Sequence, residues 1–218
     1  MQTLRRLAVV STVLLVHASV APAQQTITFS ADPFTGSTAL TTPGRQIVGN
    51  ELFTTFDPAT DVFVFDPAVY GAYGIGSLSF AIGAVGSLPT TGVNTLVLAP
   101  SPIPFAAGTA ANEIAARLTT SGAGFFVYFN SGLDVPRLVF STDLNDENAD
   151  LRVLARLTNL SGQGGRDALA TFSSANFAVA VVPEPSSVLM LAAGLAAVGA
   201  HQAARRHRAG ITARVRRT

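Results

Sequence analysis

The long middle of the chain predicts an all-β domain, antiparallel and sandwich-like, with one short helix. Three observations carry that expectation. Between residues 24 and 181 the apolar runs are short and bounded by Gly, Pro, Asp and Asn, the punctuation of strands joined by tight turns. The tetrapeptide Phe-Asp-Pro-Ala occurs twice, at 56–59 and 65–68, nine residues apart. An Asp side chain accepts backbone N–H groups and Pro pre-sets φ, so each copy starts a turn and the interval holds one strand. Only the segment 109–118 is rich in helix formers.

Residues 1–23 read as a secretory signal peptide. Arg5 and Arg6 supply the charged start, residues 7–16 the apolar stretch, and Ala21 and Ala23 the small side chains at the cleavage site. Strands are expected at 26–29, 61–65, 77–82, 94–98, 124–129 and 137–140. The second of these, Asp-Val-Phe-Val-Phe, is built from β-branched and aromatic residues that fit a pleated surface. Thr109 is placed to cap the helix. In 151–158 the alternation puts Arg152 and Arg156 on one wetted face of a strand. A last strand is expected at 176–182. The glycine-rich 71–92 and the stretch 99–108, stiffened by Pro100, Pro102 and Pro104, read as loops with room for binding.

Composition excludes several chemistries. The sequence has no cysteine and no lysine, and its histidines are His17, His201 and His207, all near the chain ends. Residues 24–182 therefore offer no Ser-His-Asp triad, no thiolate, no Schiff-base lysine and no histidine-ligated zinc. That stretch has 12 acidic residues against 6 arginines, a net charge of −6, which argues against nucleic acid as a partner. A glycosidase would need two carboxylates about 5–10 Å apart across a sugar. There is no tryptophan to stack on one, and Tyr70, Tyr73 and Tyr128 are the three tyrosines. The chain is expected not to be an enzyme.

One cluster of oxygen donors invites a metal. Asp143, Asn145, Asp146, Glu147 and Asp150 lie within eight residues between two strands. Oxygen-rich loops hold calcium, so these residues are calcium candidates. The spacing is not that of an EF-hand, because Asn148 stands where the sharp turn needs Gly and Leu154 where the bidentate Glu belongs. The other reading is a solvated acidic loop. No other cofactor is expected.

The C-terminal residues 182–218 have three parts in fixed order. Pro183-Glu184-Pro185 is stiff and extended, since each proline lacks an N–H and pushes its predecessor away from helix. Residues 186–204 form a weakly apolar run rich in Ala and Gly, close to the length of a single transmembrane helix. Arg205, Arg206 and Arg208 open a basic tail over 205–218, which would hold that flank on the cytoplasmic side. A plain tail anchor accounts for the span and the arginines but not for the Pro-Glu-Pro.

This set of features resembles the PEP-CTERM sorting signal of bacterial proteins handled by exosortase. The stretches 135–145 and 151–159 are also similar to regions of uncharacterised PEP-CTERM proteins. The resemblance implies recognition at Pro183, Glu184 and Pro185 by an exosortase-type sorting protease. Signal peptidase, the secretion translocon and, transiently, the membrane are the other implied partners. It further implies a membrane-anchored intermediate and a final place at the cell surface or in an extracellular, exopolysaccharide-containing matrix. The expected role of the 24–181 domain is structural or adhesive. The alternatives are a module binding extracellular glycan or calcium, and a secreted carboxylate-dependent glycoside hydrolase.

Overall fold

The computed structural model describes residues 24–99 and 104–181. The expected signal peptide, transmembrane segment and basic tail lie outside them. Among the described residues no helix is long and apolar enough to cross a membrane.

Two sheets face each other. The small one has the order β1 (Thr26–Phe29), β4 (Val62–Phe65), β10 (Phe177–Val179). The large one runs β2 (Ile47–Val48), β9 (Leu151–Leu157), β8 (Val135–Ser141), β7 (Gly124–Asn130), β6 (Thr95–Leu98), β5 (Phe80–Gly83). The short β3 (Leu52–Thr54) continues β2 along the same edge of β9.

The fold is β-rich, as expected, but its pairing differs from the antiparallel expectation. Only β7–β8 and β8–β9 are antiparallel. Every other ladder is parallel, including both in the small sheet. Parallel neighbours need a crossover, and the β6–β7 pair has one in α2 (Ala107–Arg117). The helix foreseen at 109–118 is this crossover. Its N-cap position is Ala106, so Thr109 lies inside the first turn and does not cap it. Two further helices were not expected, α1 (Pro67–Tyr70) and α3 (Gly162–Leu169).

Both Phe-Asp-Pro-Ala copies act as turn initiators. Asp57 Oδ1 accepts the N–H of Ala59, and Asp66 Oδ1 accepts that of Ala68 at the start of α1, with β4 between them. Asp61, just before β4, is buried. Burial pushes its pKa up, but the N–H groups of Asp57 and Gln25 and the Thr60 hydroxyl together hold it below the ordinary carboxylate value.

The core has two halves. Between the sheets the filling is aromatic: Phe63 stacks on Phe56 at 4.2 Å between ring centres, and Phe65 on Phe125 at 3.7 Å. On the other face of the large sheet, α2 lays Ala107, Ala110, Ala111 and Ile114 against Leu96, Phe126, Val139 and Val153.

One irregularity decides what the site looks like. Leu138 faces Ala155, but Val139 faces Val153, so Leu154 is an extra residue in β9. A bulge of one residue reverses the faces of everything beyond it. Arg152 and Arg156 are four apart and were expected on one wetted face. They lie on opposite faces: Arg152 pairs with Phe140 on the aromatic side, and Arg156 pairs with Arg137 on the helix side.

Candidate functional site

A cleft of about 280 Å³ opens between the rims of the two sheets. The small sheet contributes residues 28–33, from the end of β1 through Asp32 and Pro33. The large sheet contributes Leu52 on β3 with Arg152 and Leu154 on β9, and Asn50 lies just before β3. Tyr70, the last residue of α1, joins the lining.

Each position has a local cause. The Asp66 turn and the proline at its start set α1, and the buried Tyr70 ring packs edge-on against Phe65, Phe125 and Phe140. Its hydroxyl is buried, and no group among the described residues hydrogen-bonds to it. Burial pushes the Tyr70 pKa up, and Arg152 is near enough to pull against that shift. Asp32 Oδ1 accepts the N–H of Phe34 at 3.0 Å and the hydroxyl of Tyr73 at 3.0 Å. Burial, then the Asp32 hydrogen bond and charge, push Tyr73 up to about 12. Asn50 sits in left-handed backbone at φ 67°, and its carbonyl accepts Arg152 Nη2 at 3.2 Å. The bulge at Leu154 turns Arg152 into this cleft.

On the opposite face Glu51 ties two arginines. Its carboxylate accepts from Arg137 at 2.7 Å and from Arg156 through both Nε and Nη2. The Glu51 side chain is 7% exposed. Burial raises its pKa, yet the hydrogen bonds and charges of the two arginines outweigh this and hold it below the usual carboxylate range.

The acidic loop is folded into the scaffold. Asp143 Oδ1 accepts from the backbone of Gly122 and Asn145. Asn145 donates to the carbonyls of Ala115 and Leu118 at the end of α2. Asp146 Oδ1 accepts the N–H of Asn148. Asp150 is buried, and its two oxygens accept from Leu40 at 2.7 Å and Gln46 at 2.6 Å. Glu147 belongs to the same loop and is exposed. Among the described residues no three Asp, Glu, His or Cys side chains form a group that could hold a metal ion. The calcium candidates are therefore near in sequence without converging in space. The physical reason is that each turn-forming carboxylate serves its own backbone donors.

The glycine-rich 71–92 segment is no simple loop. It contains two turns of 3-10 helix and all of β5, and its Ser79 and Thr90 line a second cleft of about 300 Å³ together with Asn94 and Ser121. The proline stretch 100–103 falls outside the described residues. So do Ala21, Ala23, Pro183, Glu184, Pro185, Arg205, Arg206 and Arg208.

Tyr70, Arg152, Asp32 and Asn50 were not singled out from the sequence as a site. They come from four separated segments, and only the bulge brings Arg152 to the others. The one local signal was Asp66-Pro67, which announces a turn three residues before Tyr70.

β10 ends at Val179, and Ala180 still donates its N–H to Phe65. Residues 181–208 match the family model of the PEP-CTERM protein-sorting motif. The chain carries a PEP-CTERM sorting motif. That motif implies export, processing by exosortase-type machinery, and a destination at the cell surface or in the extracellular space. It starts two residues after the last strand. Neither the curated proteins nor the solved structures include a match to the chain.

Proposed function

We propose that this chain is a non-enzymatic surface or matrix protein, with a structural or adhesive β-rich domain delivered by its PEP-CTERM motif. In this reading the leader at 1–23 starts export, and the apolar 186–204 run holds a membrane-anchored intermediate until the sorting protease acts. The observation that carries the reading is the sorting motif placed directly after β10, the strand that completes the small sheet. The carboxylates support a scaffold role over hydrolysis. Glu51, Asp57, Asp61, Asp66, Asp143, Asp146 and Asp150 all accept backbone or arginine donors within the fold.

The test is intact mass and cellular location of the protein in its host, with and without the sorting protease. The expected species is surface-associated, begins after Ala23 and ends near Pro183-Glu184-Pro185, and it disappears when the protease gene is deleted. Surface attachment and matrix cohesion are measured in the same strains. A full-length species retained in the inner membrane of both strains would overturn the sorting step. Unchanged attachment and cohesion after deletion of this chain would overturn the structural or adhesive role.

A further inference from the structure

We propose that the cleft lined by Tyr70, Asp32, Asn50 and Arg152 binds a small carboxylate that also carries hydroxyl groups, the chemistry of a sugar acid. This proposal concerns the domain alone and stands apart from the sorting reading.

The donors come first. The Tyr70 ring is fully buried, yet its hydroxyl has no hydrogen-bond partner among the described residues. Buried polar groups are nearly always paired, so an orphan in the lining of a cleft points to an outside partner. Burial keeps the phenol protonated, so it can donate. Arg152 spends one N–H on the Asn50 carbonyl. A guanidinium has five N–H groups in a planar fork, and its free edge suits a carboxylate. The left-handed Asn50 backbone fixes that carbonyl and so aims the fork.

The acceptor comes next. Asp32 uses Oδ1 for Phe34 and Tyr73, and Oδ2 has no partner among the described residues. A carboxylate accepts only, so it asks the ligand for hydroxyl donors. Asp32 and Arg152 together make the lining neutral, which opposes a doubly charged anion such as phosphate and suits a single negative charge beside hydroxyls. Phe29 and Leu52 give the lining an apolar side for ring carbons. The volume of about 280 Å³ falls just below the roughly 300–1,000 Å³ usual for ligand sites, which limits the ligand to about one ring.

The experiment titrates the full-length chain in detergent with glucuronate, glucose, acetate and inorganic phosphate, read by calorimetry. Glucuronate is expected to bind with a Kd of about 1 mM or tighter, and the other three at least about tenfold more weakly. Arg152→Gln should weaken glucuronate by about tenfold or more. Tyr70→Phe keeps the ring and removes only the unpaired hydroxyl. It should weaken binding several-fold while leaving Tm unchanged or higher, because no protein group loses a partner. No saturable binding of glucuronate would overturn the proposal. Equal affinity for glucose or acetate would overturn the assigned chemistry, as would tighter binding of phosphate. Wild-type affinity in both variants would move the site elsewhere.

Discussion

The two sides of the large sheet are filled in different ways. Toward the small sheet the filling is plates: Phe56, Phe63, Phe65, Tyr70, Phe125, Phe140, Phe172 and Phe177. Toward α2 it is mostly aliphatic, with alanines on the helix itself. Two sheets stand about 10 Å apart, a gap that needs large side chains to fill. A helix can settle closer when its inner face is alanine. The aromatic side therefore depends on side-chain volume, and the helix side on the lack of it.

The largest effect should come from removing a plate. Phe65→Ala leaves a hole where Phe65 stacks on Phe125 and meets Tyr70, with Phe65 fully buried. The expected loss is about 3–5 kcal/mol, roughly 10 °C in Tm for a domain of this size, measured by thermal unfolding. A loss under about 1 kcal/mol would mean that the aromatic side collapses freely and the contrast fails.

Next is the charged end of the helix side. Glu51→Ala strands Arg137 and Arg156, and Arg137 Nε already lacks a partner. The expected cost is about 2–3 kcal/mol by denaturant titration, since removing one member of a buried pair leaves the others uncompensated. The third test reverses the first. Ala110→Leu adds volume where α2 is fully buried and should cost about 1–3 kcal/mol through overpacking. If it were neutral, alanine would not be what sets the helix distance.

The smallest effect is pH dependence. Glu51 and Asp61 both have folded pKa values held below the ordinary carboxylate value. Their contribution is therefore present above the unfolded value of about 4 and is lost as pH falls through the folded one. Stability should be flat from neutral pH to about pH 5 and then decline, and Glu51→Gln should shallow that decline.

What could be read from the sequence was what is local. The strand at 26–29 and the turns at Asp57 and Asp66 depend on neighbours within a few residues, and each was found where expected. The sorting motif was legible for the same reason, as one contiguous pattern. Pairing was not legible. β1 joins β4 across 36 residues, and nothing near either strand declares a parallel partner. β2 and β3 are too short to alternate. The bulge at Leu154 is a property of β8 and β9 together, so periodicity alone assigned Arg152 and Arg156 to one face. Without that reversal the cleft cannot be assembled on paper. The acidic loop allowed two readings, a calcium site or a solvated loop, and closeness in sequence could not show that Asp143, Asp146 and Asp150 each accept backbone N–H groups in the fold.

The parallel register of the small sheet gives the domain a fore and an aft. Phe29, Phe65 and Val179 stand abreast, so all three strands leave on the same rim. From that rim the chain departs toward the sorting motif, which begins two residues after Val179. The cleft beside Tyr70 borders the same rim through residues 28–33. Exit and cleft thus share one shoreline: the strand that hands the chain on to the sorting motif ends on the edge where the cleft opens.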